Sequence, residues 1–532
     1  MPSPPVPRPP GTTARVLAYL DGLADRVYGS RYNPLYRSGA LTVALLALLI
    51  LTGLYLLLFY RVGSPYASVA RITEQAWLGR WIRGVHRFAA DAAVITAAVH
   101  AVRMFAQRRS WGRRTLPWVS GIGLLGLIFV CGWTGYVMIW DTFGHLLAVE
   151  GARVVDLLPL FSEPLGRAFV GERAIPGAFF FLNLFLHIAL PIGMGIALLL
   201  HVSRVARPVL FPAPRTMWLG TALLIAVAVA FPVGMAPAAD PLRLPRSVPI
   251  DPFYAFWLPL ARTIPAPWTA AGAAVALAAL LLVPRLTRPA PERRPPASEV
   301  NERLCTGCEQ CTLDCPYQAI TMVPRTDGRA TLVARVDPAR CVSCGICAGS
   351  CAPMGVGPPG RTGRDQLARA RAFVERHAPD GADIIIIACT RGAGGLAARA
   401  VNERVDGARV YPTDCAGTLH TSVVELFVRA GAGGVLVLAC PPENCWNREG
   451  TVWLEQRLFH EREAELKERV DRRRVAFASL SFGESRGAAA LVAEFRARVR
   501  ALERAAGEEP IDLIQLCDAV MTPSGASGDQ EQ

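Results

Sequence analysis

Several signatures that would give this chain a chemistry of its own are missing. A net charge of +13 would suit a polyanion, but no basic stripe is interleaved with aromatics, so no nucleic-acid partner is expected. There is no glycine fingerprint for a flavin or nicotinamide dinucleotide, which leaves the catalytic site for any soluble substrate to another polypeptide. The proline-rich residues 1–13 lack the short apolar core of a signal peptide; they read as disordered, with no cleavage expected. Charge itself is scarce, at 19% of 532 residues against 52% hydrophobic, and the apolar residues gather before residue 285. The chain is therefore multi-domain, with a membrane part first.

Apolar runs of spanning length lie near 38–60, 84–106, 117–140, 176–202, 217–236 and 266–284. Arg103, Arg108, Arg109, Arg113 and Arg114 follow the second run, Arg204, Arg207 and Arg215 the fourth, and Arg285 and Arg288 the sixth. The opposite connections carry Glu74, Asp141, Glu150, Asp156, Glu163, Glu172, Asp240 and Asp251. By the positive-inside rule both termini, and everything after residue 285, lie in the cytoplasm.

Histidines stand at 86 and 100 in the second span, and at 187 and 201 in the fourth. Fourteen residues is nearly four turns, so each pair faces one way, roughly 21 Å apart. Histidine within a membrane is costly and usually functional. Two such helices face to face create two bis-histidine sites, one near each membrane surface. Glycines repeat the interval, with Gly39 and Gly53 in span one and Gly121 and Gly135 in span three. A missing side chain at each level leaves room for a flat macrocycle. Asp91, inside span two, suits a proton path or one helix–helix hydrogen bond.

The text Trp81-Ile82-Arg83-Gly84-Val85-His86-Arg87, His100-Ala101-Val102-Arg103, Trp118-Val119-Ser120-Gly121, Thr134-Gly135-Tyr136-Val137 and His187-Ile188-Ala189-Leu190-Pro191 resembles cytochrome b of quinol-oxidising bc and b6f complexes, most closely the b6 form. Over about residues 30–210 the resemblance implies two b haems, an outer one ligated by His86 and His187 and one near the cytoplasmic face ligated by His100 and His201, with Arg83 and Arg103 meeting their propionates. A homodimer through this domain is the matching assembly. No cysteine stands near residue 37, so the covalent extra haem of b6 is not expected. Asp240-Pro241-Leu242 and Asp251-Pro252-Phe253-Tyr254 are similar to the Pro-Glu-Trp-Tyr segment that completes a b6f quinol pocket, although the acid here precedes the proline. Met138-Ile139-Trp140 replaces that family's Leu-Pro-Trp. Asp251 and Tyr254 are thus candidates for an outer quinone site, against an ordinary loop.

Eight of fourteen cysteines fall in Cys305-x-x-Cys308-x-x-Cys311-x-x-x-Cys315-Pro316 and Cys341-x-x-Cys344-x-x-Cys347-x-x-x-Cys351. This spacing wraps thiolates around two 4Fe–4S cubanes, the fourth cysteine of each run ligating the other cluster. One centre takes Cys305, Cys308, Cys311 and Cys351; the other takes Cys341, Cys344, Cys347 and Cys315. Zinc ligands come in pairs without this triple spacing, and disulfides need an oxidising compartment. The segment resembles the bacterial two-cluster ferredoxins, with the second proline displaced to Pro353.

Further on, helical pattern at 364–378 precedes the buried strand Asp383–Cys389, and a helix at 420–430 precedes Gly434–Cys440. Strands alternating with helices argue for a small parallel α/β sheet whose ends carry cysteines. Cys389, Cys415, Cys440 and Cys445 can bind one more centre, either 2Fe–2S or zinc; spacing alone does not choose. Cys415-Ala416-Gly417, the strand before Cys440, and Cys445 resemble the delta subunit of methyl-viologen-reducing hydrogenase, which implies 2Fe–2S and docking to a flavoprotein. That family's extra cysteine after the first is absent from Thr390-Arg391-Gly392. Residues 455–505 read as a solvated helical face. Cys131, Cys517, His145, His377, His420 and His460 show no partner pattern.

The expected fold is an all-α transmembrane haem-binding bundle of about six spans, then an α+β two-cluster ferredoxin domain and a small α/β parallel-sheet domain. Residues 1–37 form the cytoplasmic N-terminal segment, 38–210 the haem domain, and 211–285 two further helices with the quinone pocket. A Pro/Arg linker (286–300), the ferredoxin domain (301–360), the delta-like domain (361–510) and a tail (511–532) follow. The chain reads as a wire in a bacterial or archaeal inner membrane, linking a cytoplasmic flavoprotein or hydrogenase- or heterodisulfide-reductase-like subunit to quinone. The competing readings are a docking anchor with little quinone chemistry, or a thiol–disulfide reductase using the C-terminal cysteines.

Overall fold

The computed structural model describes residues 12–157, 164–171, 175–203, 205–245, 248, 251–290, 294–392, 404–405, 408–460, 462–481 and 487–507. Glu163, Glu172, Arg204, Cys517, most of the proline-rich start and the 511–532 tail lie outside the described residues. Two compact units emerge, and the boundary runs through the cysteine-rich module. Met1–Ser298, Cys315–Val323 and Arg335–Ser343 form the first; Glu299–Asp314, Pro324–Ala334 and Cys344–Gln532 form the second.

The first unit is helical: α1 (Thr12–Tyr28), α2 (Ser38–Phe59), α3 (Pro65–Glu74), α4 (Gly79–Ala106), α5 (Thr115–Ile139), α6 (Thr142–Val155), α7 (Gly177–Ser203), α8 (Pro214–Ala230), α9 (Leu258–Thr263) and α10 (Ala266–Leu286). Among the described residues, α2, α4, α5, α7 and α10 are long and apolar enough to cross a membrane. The expected fifth span is shorter than the sequence suggests. α8 has 17 residues, about 25 Å of helix against a hydrocarbon core of about 30 Å. Pro232 drives Phe231 out of helical geometry (φ −125°, ψ 72°) and ends it there.

Leucines and isoleucines such as Leu51, Leu54, Leu58, Ile192, Ile196 and Leu199 are exposed on α2 and α7, which suits hydrocarbon rather than water. Helix α1 turns Val16, Leu20, Leu23 and Val27 outward while burying Asp21 and Asp25. Within α7, Pro191 removes the N–H that would bond the His187 carbonyl four residues back. The Cys131 thiol points at that carbonyl at 3.9 Å.

In the cysteine-rich module, β1 (Glu299–Val300), β2 (Ile320–Val323), β3 (Val333–Val336) and β4 (Val356–Gly357) make two-stranded sheets, β1 with β4 and β2 with β3. Beyond it, β5 (Ile384–Cys389), β6 (Arg404–Val405), β7 (Ala408–Thr413), β8 (Gly434–Ala439) and β9 (Val475–Ser479) form a sheet in the order β6-β7-β5-β8-β9. All its pairings are parallel except β6 with β7. Its central strands are buried on both faces, as a parallel sheet requires. Ile385, Ile387 and Cys389 pack with Phe427 and Leu454, whereas Ile384 and Ile386 pack with Val492 and Phe495. Strand β9 corrects the reading of 455–505 as a helical face in water. Val475–Ser479 pairs with β8 and completes the sheet, with Val475 buried, and Arg457 is completely enclosed.

Candidate redox centres

Helix α2 packs along α4, and α5 along α7. Each partnership sets a glycine helix against a histidine helix. His86 and His187 face each other with ring centroids 6.4 Å apart, and His100 and His201 with centroids 6.5 Å apart. Two metal–imidazole bonds of about 2 Å plus two ring radii of about 1.2 Å span about 6.4 Å, so each pair fits one iron held from both sides. The glycines sit beside the imidazoles. A Cβ on Gly39 would come within 2.8 Å of His100 Cε1, on Gly53 within 3.3 Å of His86 Cε1, and on Gly121 and Gly135 within 3.1 Å of His201 and His187. What the missing side chains clear first is therefore room for the ligand rings, more than for a macrocycle.

A hydroxyl residue precedes each glycine: Ser38, Thr52, Ser120 and Thr134. Thr52 Oγ1 donates its proton to Leu48 O at 2.8 Å, so its lone pairs face His86 Nδ1 at 2.9 Å. Ser120 Oγ does the same with Leu116 O (2.8 Å) and His201 Nδ1 (3.1 Å). Thr134 Oγ1 repeats it with Cys131 O (2.8 Å) and His187 Nδ1 (3.0 Å). An acceptor at Nδ1 places the imidazole proton there and leaves Nε2 bare for a metal. These hydroxyls were missed in the sequence reading, although the Ser/Thr-Gly repeat carries the signal. Cys131, which shows no partner pattern in the sequence, lies 3.7 Å from His187 Nδ1.

Arg83 and Arg103, each three residues from a histidine, bind protein groups. Arg83 donates to Val233 O (2.7 Å) and Gly234 O (3.2 Å); Arg103 pairs with Asp21 at 2.6 Å and lies 5.4 Å from the Tyr36 ring. Burial pushes the Asp21 carboxyl up despite Arg103.

Asp251 and Tyr254 do come together, with partners the sequence did not suggest. Asp251 Oδ1 accepts the backbone N–H groups of Phe253 (2.8 Å) and Tyr254 (2.9 Å), and Oδ2 accepts Arg87 (2.9 Å) and the Tyr136 hydroxyl. Arg87 also pairs with Asp91, which places Asp91 in an ion pair. Tyr254 donates to Ala90 O at 2.8 Å, and its ring fills the space beside Gly132. Arg87 and Tyr136 are thus the unexpected members of this cluster.

In the second unit Cys305, Cys308, Cys311 and Cys351 come together, with Cys347 of the other proposed set also beside Cys311: burial first, then the Cys347, Cys351, Cys308 and Cys305 thiols, push Cys311 up. Burial also raises Cys351, opposed by the Gly355 N–H, which points at its sulfur at 3.2 Å. Hydrogen bonds of this kind tune cluster potentials. Of the other proposed ligands, Cys315 and Cys341 fall in the first unit, Cys344 and Cys347 in the second. Cys315 accepts from Ala319 N (3.3 Å), and Cys341 from Ser298 N (3.4 Å).

Cys415, Cys389 and Cys440 emerge at the carboxyl ends of the adjacent strands β7, β5 and β8, with Cys445 closing the turn after β8. All four are buried, and Cys389 Sγ lies 3.5 Å from Cys440 Sγ. Thiol hydrogen bonds from Cys415 and Cys440 hold Cys389 well below the usual thiol range, and the same bonds with burial push those two up. Among the described residues no set of three or more His, Cys, Asp or Glu closes around a single-ion site. His145 Nε2 lies 2.7 Å from Phe169 O, and His420 Nε2 lies 3.1 Å from Cys351 O.

A multi-pass helical unit with facing histidines, joined to a cysteine-rich unit, defines a membrane electron-transfer protein. Residues 23–207 match the family Cytochrome b/b6/petB, residues 304–355 the 4Fe-4S dicluster domain, and residues 384–503 the Methyl-viologen-reducing hydrogenase, delta subunit. The chain is thus a fusion of these three kinds of segment, and haem and 4Fe–4S clusters follow from the first two. A solved structure titled "Hyperthermophilic respiratory Complex III" is similar at 19% identity and a TM-score of 0.38, over 49% of this chain and 78% of that one. That likeness is too weak to bear on function.

Proposed function

We propose that this chain passes electrons between a cytoplasmic redox enzyme and the quinone pool. The route runs through a 2Fe–2S centre on Cys389, Cys415, Cys440 and Cys445, two 4Fe–4S clusters, and b haems on His100/His201 and His86/His187. The supporting observation is the pair of facing imidazoles at 6.4 and 6.5 Å, each beside a glycine. Bound haems and iron–sulfur centres supply the one-electron chemistry. The residues' task is to hold and orient them: Thr52, Ser120 and Thr134 fix imidazole tautomers, and Arg83 and Arg103, one turn from a ligand and now bonded to Val233, Gly234 and Asp21, would supply positive charge toward haem propionates. The basic connections after α4 and α10 favour cytoplasmic termini. Asp251 and Tyr254 are assigned to an outer quinone site. Replacing His100 or His201 with alanine should remove one haem and leave the other; two full haem equivalents in both variants would sink the pairing.

A second reading has one observation in its favour. Asp251 is saturated by four protein donors and Tyr254 is bonded to Ala90, as in a loop built for stability. On that reading the chain docks a hydrogenase- or heterodisulfide-reductase-like enzyme with little quinone chemistry. Quinol-linked reduction of the haems separates the two.

A further inference from the structure

Arg457 is fully enclosed, and its guanidinium touches three cysteine loops at once. Nη2 donates to Gly417 O at 2.7 Å, two residues past Cys415. Nη1 donates to Ser350 Oγ at 3.0 Å, next to Cys351, and lies 3.6 Å from Asp314 Oδ2, next to Cys315 and three residues past Cys311. Ser350 Oγ itself donates to Asp314 at 2.6 Å. The contact is reinforced nearby. His420 Nε2 sits 3.1 Å from Cys351 O, and a Cβ on Gly450 would lie 3.6 Å from Cys415 Sγ and 3.3 Å from Ile346, the neighbour of Cys347. Asp314 also binds Arg462 at 2.6 Å, so its charge is answered twice. A buried cation needs a reason beyond stability, since an apolar residue of like volume packs as well. Its planar fork is suited to holding several acceptors in fixed relation.

We propose that Arg457 is the positioning cation that joins the C-terminal cysteine centre to the cluster of Cys305, Cys308, Cys311 and Cys351, so that electrons pass directly between these two. The inference rests on the proposed 2Fe–2S reading. One electron leaves the C-terminal centre and one enters the cubane; no proton moves and no bond changes. The upstream reductant is the cytoplasmic redox enzyme, and the downstream acceptor is the second ferredoxin cluster. The cation sits close to both ligand sets and favours the reduced, more negative form of each.

The test uses the full chain, purified anaerobically, with dithionite as reductant. In the unaltered protein the paramagnetic signal of the C-terminal centre should saturate at higher microwave power once the neighbouring cubane is reduced. Arg457→Met should keep its iron, lower both midpoint potentials and slow reduction of the cubane by about tenfold or more. Arg457→Lys should keep the potentials nearer to normal and lose rate. Arg462→Met, which removes a cation from the same aspartate without touching the Cys415 loop, should leave the C-terminal potential unchanged. Should Arg457→Met fail to load iron, the paired change Asp314→Asn with Arg457→Gln keeps the charge balanced and is read by the rate of cubane reduction, which should still fall, an unchanged rate overturning the proposal. Full iron with unchanged potentials and rate in the Arg457 variants overturns the proposal, as does a C-terminal signal indifferent to the cubane's redox state. If no C-terminal cluster signal exists at all, the 2Fe–2S reading falls and this inference falls with it.

Discussion

The four glycines beside the histidines are not equally tight, and that inequality is measurable. At Gly39 an added methyl would sit 2.8 Å from both Cε1 and Nδ1 of His100 and 3.2 Å from Nε2, so it meets the flat of the ring. At Gly53 the nearest atom is His86 Cε1 at 3.3 Å and the next is Nδ1 at 3.9 Å. Carbon atoms rest about 3.5–4.0 Å apart. The His100 ring must therefore retreat by roughly 0.7 Å or more, and the His86 ring by only a few tenths. Overpacking of the first kind costs about 1–3 kcal/mol, while glycine to alanine within a helix returns about 0.5–1 kcal/mol. Gly53→Ala should come out near neutral, with both haems kept. Gly39→Ala should be net unfavourable and should move an iron ligand, depleting or shifting the haem of His100 and His201 alone. Haem per protein and redox-difference spectra of the two variants provide the assay. If Gly39→Ala carries both haems with unaltered potentials while Gly53→Ala loses one, the close approach read here is wrong.

Thr52→Val keeps shape but removes the acceptor at His86 Nδ1, so the haem of that site should weaken or shift in potential by redox titration while Thr52→Ser stays normal. Cys440→Ser or Cys445→Ser should cut iron–sulfur iron from about ten per chain to about eight; undiminished iron together with the same resonance signal would point to zinc or thiol chemistry instead. Asp251→Asn should leave haem content intact and slow quinol-linked haem reduction, and an unchanged rate would assign the residue to loop stability. In sealed vesicles an ionophore should alter steady-state reduction of the outer haem, because a charge crossing the membrane is worth about 2.3 kcal/mol per 100 mV; indifference would put the quinone site on the cytoplasmic side.

What could be read in advance was whatever repeats. The histidines and glycines at fourteen-residue intervals and the doubled cysteine runs are periodic, and periodicity survives without coordinates because a helix or a ligand loop converts spacing into geometry. The strand Ile384–Cys389 was legible for a related reason, since an unbroken apolar run has few places to go in a parallel sheet. Strand β9 was not, because Val475–Ser479 follows a run of arginines and is bounded by charge, so its composition speaks for the surface while its backbone completes the sheet edge.

The least legible residues are the arginines, and the cause is physical. A guanidinium on a long chain is solvated at most positions, so Arg87 and Arg457 look in sequence like the arginines around them. Their difference lies in distant partners: Asp251 lies 164 positions from Arg87, and Ser350 lies 107 positions from Arg457. No local pattern records a contact of that span. The Ser/Thr before Gly53, Gly121 or Gly135 is an intermediate case. Its bond to the histidine is long-range, 34 positions for Thr52 and 81 for Ser120, yet it inherits the period of the glycine it precedes. A polar residue that supports a repeated ligand therefore shows its function through the repeat. One that serves a single contact has to wait for the fold, and Arg457, bridging three loops with no repeat of its own, is the extreme of that kind.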